Sequence, residues 1–204
     1  MEAIRHFIES FLNATTPLEV TGFAFAALYA ILASYEKAWC WPAAIVSTGI
    51  FTYMCYLDNI KLQAVLQLFY LVMAFYGWYE WTFGKRNTQP LRIISFPAKK
   101  ILRMIIIGIP FVIAGGLIDS YYDASLPWLD SIITVYSLIA TWMVARKVLE
   151  NWLFWIVIDP LSIWLFAARG RLLIGLLFLI YTLIAIFGYY KWRRLMQRQA
   201  AASS

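Results

Sequence analysis

The sequence predicts an all-α membrane protein, in which seven transmembrane helices form two parallel three-helix bundles joined by a linker helix. Two observations lead to this prediction. The first is composition, because 63% of the 204 residues are hydrophobic and 14% are charged, whereas soluble domains carry about 25% charged residues. The second is an internal repeat, which relates the second and third apolar segments to the last two.

Seven apolar segments are each long enough to cross a hydrocarbon core about 30 Å thick. In chain order, the predicted spans are residues 18–35, 39–57, 62–83, 101–118, 128–145, 151–168 and 172–190. We expect five units: an amphipathic surface helix at 1–16, the first bundle at 17–83, a basic cytoplasmic loop and the linker helix at 84–127, the second bundle at 128–192, and a cytoplasmic tail at 193–204.

Local signals support individual elements. Residues 1–16 carry apolar side chains at helical spacing, which indicates a helix on the membrane surface, although a frayed terminus is the alternative. Pro42 falls in the first turn of the second span, where a missing N–H breaks no helical hydrogen bond. The third span ends in the aromatic segment 76–81, which is typical of a membrane interface. Gly108 and Pro110 are expected to bend the linker helix.

Lysine and arginine are unevenly distributed between the two sides of the predicted membrane. Thirteen fall on the side that holds the 84–100 loop and the C-terminal tail, and four fall on the other side. Because positively charged loops remain in the cytoplasm, we expect a cytoplasmic C-terminus and an external N-terminus. The net charge of +6 is therefore a topology signal and does not indicate a nucleic-acid partner.

A displacement of 111 residues places spans two and three on spans six and seven without a gap. Eleven of 41 aligned positions are identical, and apolar bias alone rarely matches tryptophan, tyrosine and glycine. These pairs include Trp41 with Trp152, Tyr70 with Tyr181, Gly77 with Gly188, and Trp81 with Trp192. A three-span unit reverses chain orientation and one extra span restores it, so the two bundles run parallel. Transporters built from such repeats bind their substrate at the repeat interface.

The sixth predicted span carries a carboxylate, Asp159, near its middle. At 100° per residue, one helix face presents this carboxylate together with Asn151, Trp152, Trp155 and Ser162. A carboxylate in lipid costs roughly 3 kcal/mol or more, so it must face protein, water or a ligand. We therefore expect this face to form half of a substrate site.

The repeat adds a second candidate position, because Thr48 aligns with Asp159. Paired helix-weakening residues, here Gly49 and Pro160, at corresponding places point to a transporter's binding site. For Thr48 alone, a hydroxyl bonded to its own backbone is the favoured explanation.

The third predicted span carries a polar stripe. Gln63, Gln67 and Tyr70 share one of its faces, and Tyr181 is the repeat partner of Tyr70. Interhelical hydrogen bonding is the simplest role for such a stripe. Gln67 is favoured as a lining residue, because a buried amide is costlier than a hydroxyl.

Catalytic, metal and cofactor sites are not expected. The single histidine, His6, lies outside the predicted spans, so no Ser/His/Asp or Cys/His set can form within the membrane. Cys40 and Cys55 lie roughly 22 Å apart along one helix, which is too far for a disulfide. We therefore expect no enzyme activity and no cofactor, and a lipid bilayer and a small molecule as partners.

Four segments resemble the PnuC family of vitamin transporters: WCWP at 39–42, LQLFY at 66–70, YGWYEW at 76–81 and ENWLFWIVID at 150–159. The resemblance covers nearly the whole chain after residue 16. It implies a three-plus-one-plus-three fold related to the SWEET sugar transporters, and a homotrimer in the bacterial inner membrane. It also implies facilitated diffusion of unphosphorylated nicotinamide riboside, which a cytoplasmic kinase then traps by phosphorylation. By motif position, the implied binding residues are Asn151, Trp155, Asp159 and Gln67.

The same family contains thiamine transporters, often called PnuT, and these motifs do not separate the two vitamins. The spans hold no lysine or arginine at the depth of Asp159, so its expected partner is a proton, a sodium ion or a cationic substrate. Nicotinamide riboside carries a pyridinium and thiamine a thiazolium. Trp152 and Trp155 suit either flat cation, although an interfacial belt is the simpler role for Trp152.

Two other classes of protein remain open. A SWEET-type sugar transporter has the same architecture, but a sugar site gains little from a buried unpaired carboxylate. A heptahelical binding protein has seven unrelated spans, so the internal repeat counts against it.

Overall fold

The computed structural model describes residues 16–57, 61–86, 89–122, 125–170 and 172–201. Within these residues the protein consists of seven helices and one short hairpin, which confirms the all-α prediction. In chain order they are α1 (Pro17–Ser34), α2 (Cys40–Leu57), α3 (Lys61–Phe83), β1 (Lys85–Arg86), β2 (Gln89–Pro90), α4 (Ala98–Tyr121), α5 (Pro127–Ala145), α6 (Asn151–Ala168) and α7 (Leu172–Ala201). Residues 1–15, which hold nearly all of the predicted surface helix, lie outside the described part.

Six of the described helices are long and apolar enough to span a membrane. The seventh, α3, has 23 residues, which exceeds the roughly 20 that a span needs. Glutamines and an aromatic C-terminal end interrupt its apolar sequence. It packs against α2 and α5, so it belongs to the same assembly as the other predicted spans.

The observed helix ends lie within three residues of the predicted ones, except at the end of α7. α6 begins and ends at the predicted positions, Asn151 and Ala168. α7 continues to Ala201, well past the predicted end of the span at Tyr190. The added residues are mainly arginine, leucine, methionine, glutamine and alanine, which are strong helix formers. The helix therefore extends beyond the end of the apolar segment.

Six helices form a closed ring, in which each packs against two neighbours. The order around the ring is α1, α2, α3, α5, α6 and α7. Exchanging α1, α2 and α3 with α5, α6 and α7 leaves this order unchanged, so the ring has approximate two-fold symmetry. The two bundles meet where α3 packs on α5 and where α7 packs on α1. α4 lies outside the ring and packs chiefly against α5, as expected for a linker helix.

Four tryptophans, of which three are buried and Trp81 is partly buried, form a cluster at one end of the ring. We call it the tryptophan cluster: Trp41, Trp81, Trp152 and Trp192. Trp41 packs edge-on against Trp81 with ring centroids 5.6 Å apart, and Trp152 packs edge-on against Trp192 at 5.4 Å. Trp81 and Trp192 join the two pairs at 5.8 Å. The two edge-on pairs are related by the 111-residue displacement, so the cluster has the same approximate two-fold symmetry as the ring.

The same symmetry extends to the groups that hold the cluster. Trp81 Nε1 donates to the carbonyl oxygen of Val144 at 3.2 Å, and Trp192 Nε1 donates to that of Ala33 at 3.0 Å. Ala33 and Val144 are themselves 111 residues apart. Trp81 belongs to the first bundle and Val144 to the second, and the other bond runs in the opposite direction. Both hydrogen bonds therefore tie one bundle to the other.

Residues 91–97 cross this end of the ring, between the hairpin and α4. The N–H of Ile94 donates to the carbonyl of Lys147, and the N–H of Leu149 donates to the carbonyl of Ile94. Ile93 is buried beside the tryptophan cluster. Glu150 accepts hydrogen bonds from the hydroxyl of Ser95 and the N–H of Phe96. This segment thus attaches to the turn between α5 and α6.

Candidate substrate site

A cavity of about 180 Å³ lies inside the ring, between α1, α6 and α7. One residue of α5, Val144, contributes to its lining. The other lining residues are Ala26, Tyr29, Ala30, Ala33, Trp152, Trp155, Asp159, Phe178, Tyr181, Ile184 and Ala185. Because α1 belongs to the first bundle and α6 and α7 to the second, the cavity lies at the interface between the repeats.

Asp159 supplies the only carboxyl group in the lining of this cavity, which contains no basic side chain. It lies near the middle of α6 and is 2% exposed. Three ion pairs occur among the described residues, and none of them involves Asp159. A carboxylate in a dry site is stable only when a positive or hydrogen-bonding partner is present. The cavity is therefore suited to a cationic occupant.

Aromatic side chains form the walls of the cavity. Trp152 and Trp155 come from α6, Phe178 and Tyr181 from α7, and Tyr29 from α1. The rings of Phe178 and Tyr181 meet edge to face with centroids 5.8 Å apart. Aromatic faces attract cations and stack on flat rings. These walls are thus suited to a planar cation.

Two buried polar atoms in the lining have no hydrogen-bond partner within the described chain. They are Nε1 of Trp152 and the hydroxyl of Tyr181. A buried donor without a partner costs about 1–3 kcal/mol. Both groups can donate a hydrogen bond, and the Tyr181 hydroxyl can also accept one. An occupant that carries hydroxyl or amide groups would satisfy them.

Close packing sets the orientation of Trp152. A Cβ at Gly188 on α7 would lie 2.8 Å from the indole ring, so only glycine leaves room for the ring at this position. The helix periodicity of α6 then places Trp155 and Asp159 on the same side as Trp152. The site therefore depends on the close approach of α6 and α7.

The structure brings four of the predicted site residues together: Trp152, Trp155, Asp159 and Tyr181. Asn151 is fully buried beside them but does not line the cavity. Its Nδ2 donates to the carbonyl of Val148 at 2.6 Å, and its Oδ1 has no partner within the described residues.

The remaining predicted site residues belong to the first bundle, and those with a described side chain do not line the cavity. The hydroxyl of Thr48 donates to the carbonyl of Ala44 at 2.7 Å, which is the bond to its own helix that the sequence favours. The side chain of Tyr70 lies near Ser137 of α5, and Gln67 is half-buried. Gln63 belongs to α3, but its side chain is outside the described residues.

Sequence reasoning missed Tyr29, Phe178 and the small residues of α1. A signal for Phe178 exists, because the 111-residue displacement aligns it with Gln67, which was predicted to line the site. Gln67 was predicted from its polarity, and in this cavity the corresponding position of the second bundle, Phe178, belongs to the lining. No comparable signal marks Tyr29, because α1 lacks a polar residue at the depth of the site.

Metal chemistry has no support in the part of the chain that the structure describes. No group of three or more histidine, cysteine, aspartate or glutamate side chains could hold a metal ion there. Asp159 is a single carboxylate among aromatic and aliphatic groups. The arrangement can bind and release an organic cation.

Comparisons with known proteins agree with this architecture. A family model described as "Nicotinamide mononucleotide transporter" matches residues 16–194. The nicotinamide riboside transporter PnuC of Escherichia coli (strain K12) is 25% identical over 190 residues, with 79% of this chain and 78% of the relative covered. The riboflavin/roseoflavin transporter RibM of Streptomyces davaonensis is 25% identical over 161 residues, covering 77% of this chain and 75% of the relative.

A solved structure has the same fold. The crystal structure of the vitamin B3 transporter PnuC superimposes with a TM-score of 0.74 at 20% identity, covering 96% of this chain and 88% of that chain. This likeness confirms the predicted arrangement of the helices.

Proposed function

The chain belongs to the nicotinamide mononucleotide transporter family, and we propose that within this family it carries nicotinamide riboside. It is a multi-pass membrane protein of a vitamin transporter family and not an enzyme. The choice of one vitamin rests on the chemistry of the cavity.

The unpaired carboxylate of Asp159 carries the proposal. It is buried in an aromatic cavity, and none of the described basic residues forms an ion pair with it. The pyridinium ring of nicotinamide riboside is planar and positively charged. It can stack on Trp155 or Trp152 with a cation–π contribution of about 0.5–2 kcal/mol while its charge faces Asp159. A ligand of this type compensates the buried charge without any other protein group.

The polar atoms of the cavity fit the rest of this molecule. Ribose hydroxyl groups can accept a hydrogen bond from Trp152 Nε1 and exchange one with the Tyr181 hydroxyl, both of which lack partners within the described chain. We propose Asp159, Trp155, Trp152 and Tyr181 as direct contacts. Asn151, Gln67, Thr48, Tyr70 and Gln63 remain predicted contacts.

Two other vitamins are candidates. Thiamine also carries a flat cation, so Asp159 favours it as well. Riboflavin is a candidate because the riboflavin/roseoflavin transporter RibM is 25% identical to this chain, as is the E. coli relative. Its isoalloxazine ring is neutral and leaves the charge of Asp159 uncompensated, so we place it behind the two cations.

We propose facilitated diffusion as the mode of transport. Asp159 is the only acidic residue near the middle of a predicted span, whereas proton-coupled transport usually needs a chain of such groups. A uniporter accumulates its substrate only if the substrate is consumed inside the cell. A cytoplasmic kinase acting on the riboside hydroxyl would provide that trap. Assembly as a homotrimer in a bacterial inner membrane completes the proposal.

Binding titrations test the choice of vitamin. The purified protein should be titrated in parallel with nicotinamide riboside, thiamine and riboflavin, with tryptophan fluorescence as the readout. We expect tightest binding by nicotinamide riboside, weaker binding by thiamine and the weakest by riboflavin. Tighter binding of riboflavin than of either cation would contradict the role given to Asp159. Tighter binding of thiamine would keep that role and change the vitamin.

A further inference from the structure

Glu36 and Lys147 form an ion pair in which Lys147 Nζ lies 2.7 Å from Glu36 Oε1. The two residues are 111 positions apart, so they occupy corresponding positions in the two bundles. Two symmetry-related positions meet only where the symmetry axis passes between them. This ion pair, which we call the axial pair, therefore marks the two-fold axis of the ring.

The axial pair sits in two matching turns. α1 and α5 both end with paired backbone hydrogen bonds, from Glu36 to Ala33 and Lys37 to Leu32, and from Lys147 to Val144 and Val148 to Met143. Such a turn requires a left-handed residue, which is usually glycine. Here Glu36 has a φ of 58° and Lys147 a φ of 52°. Each side chain occupies this conformation at a cost of roughly 1–2 kcal/mol, which indicates that the charge at this place has a function.

The pair lies beyond one end of the cavity. Ala33 and Val144 belong to the cavity lining, and the axial pair follows each of them by three residues. The tryptophan cluster lies at the same level, since Trp192 and Trp81 donate hydrogen bonds to the carbonyls of Ala33 and Val144. Counted outward from the cavity, the layers are the lining, the indoles and the axial pair.

Water reaches the axial pair only in part. The side chains of Lys147 and Glu36 are 10% and 16% exposed, and Lys147 Nζ also lies 4.8 Å from the ring centroid of Trp81. An ion pair screened from water and backed by an aromatic face is stronger than one on an open surface. It can therefore hold the two bundles together at the axis.

Several side-chain contacts in this layer join one bundle to the other. Arg146 pairs with Glu80 at 3.3 Å, across the α3–α5 boundary. At the symmetric place, the α1–α7 boundary, Lys191 Nζ lies 4.7 Å from the ring centroid of Tyr35. The two indole hydrogen bonds also cross between the bundles. A passage at this end can open only if the bundles separate, and their separation must break these contacts.

We propose that Glu36 and Lys147 act as a gate for the substrate, on the side of the membrane predicted to be cytoplasmic. The gate is closed while the axial pair is intact and opens when the two bundles part at the axis. The proposal rests on the proposed transport function only in requiring that an occupant of the cavity leave at this end.

Labelling of a cysteine in the cavity measures the state of the gate without any vitamin. Cys40 and Cys55 are replaced by alanine, and Ala30→Cys places a single thiol in the lining. A membrane-impermeant thiol reagent is added from the cytoplasmic side of inverted vesicles. We expect Glu36→Gln and Lys147→Gln each to raise the labelling rate about tenfold, which corresponds to about 1.4 kcal/mol.

The exchanged pair, Glu36→Lys with Lys147→Glu, is the decisive variant. It restores the opposite charges and keeps the two left-handed turns occupied by the same two residue types. Labelling should return to the rate of the parent protein. A labelling rate that the single variants leave unchanged, or that the exchange fails to restore in a protein of parental thermal stability, would overturn the gate.

A control pair and a cross-link complete the test. Asp130 pairs with Arg169 at 2.6 Å within the second bundle, so Asp130→Asn should leave the labelling rate unchanged. Glu36→Cys with Lys147→Cys, joined by a short bismaleimide, should still bind nicotinamide riboside but not exchange it across a liposome membrane. Exchange that persists after complete cross-linking would also overturn the gate. If the variants change the labelling rate as expected but the protein binds no vitamin, the result would contradict only the proposed substrate.

Discussion

The indole of Trp152 packs edge-on against the indole of Trp192, with ring centroids 5.4 Å apart and ring planes at 88°. Trp152 lines the cavity, and Trp192 is hydrogen-bonded to Ala33 of the other bundle. One aromatic contact therefore connects the wall of the substrate site to the interface between the bundles. An occupant that displaces Trp152 must also disturb this interface.

Asp159→Asn should weaken the binding of a cationic vitamin and spare a neutral one. The amide keeps the shape of the carboxylate but removes its charge, and the loss of a charge-assisted contact costs roughly 1.5–3 kcal/mol, or about 10- to 100-fold in Kd. The measurement is a titration of both proteins with nicotinamide riboside and with its neutral dihydro form. Equal affinity of the two proteins for the cation would leave the carboxylate without an electrostatic role.

Gly188→Ala should lower both thermal stability and substrate affinity. The added Cβ would lie 2.8 Å from the ring of Trp152, so the ring must move, and overpacking of this kind typically costs about 1–3 kcal/mol. Gly175→Ala on the same helix is the matched control, because its Cβ would meet only Ile163, at an ordinary 3.6 Å. Both variants should be followed by thermal unfolding in detergent and by titration. A Gly188→Ala protein with unchanged affinity would show that the position of Trp152 does not matter for binding.

The C-terminus should lie in the cytoplasm, because thirteen of the seventeen lysines and arginines fall on its side of the membrane. A reporter enzyme that is active only in the periplasm, fused after Ala201, should give no signal. The same reporter fused to a known periplasmic terminus provides the positive control. High activity of the first fusion would reverse the orientation and place the axial pair on the external side.

Uptake into liposomes should reach equal concentrations inside and outside. A single mid-span carboxylate offers no relay for proton coupling, so an imposed pH or sodium gradient should not change the final level of nicotinamide riboside. Liposomes without protein serve as the control for leakage. Accumulation above the external concentration under either gradient would establish coupling and refute the uniport mechanism.

The sequence predicted the fold in detail because apolar segments and the internal repeat can both be read from the order of residues along the chain. Span ends follow from apolar runs, and the displacement of 111 residues anticipates the symmetric partners of Trp41 and Trp81. Asp159 could also be identified from the sequence, because a carboxylate within an apolar span must face protein, water or a ligand.

The other half of the cavity could not be predicted in this way. Phe178 and Tyr29 are aromatic residues on strongly apolar helices, and which face of such a helix turns inward is decided by its neighbours in the ring. Gln67 illustrates the limit. Its polarity indicates that it faces protein, but it does not indicate which of the two interfaces between the bundles holds the cavity.

The charges of Glu36 and Lys147 also restrict how the two halves of the chain can associate. In a dimer of identical units, a residue on the two-fold axis faces its own copy. Two first halves would oppose glutamate to glutamate and two second halves lysine to lysine, and like charges about 4 Å apart near a protein surface repel by about 4 kcal/mol. Self-pairing of either half is therefore disfavoured, while the mixed pair is attractive. If the halves were produced as separate polypeptides, this one contact would select the heterodimer.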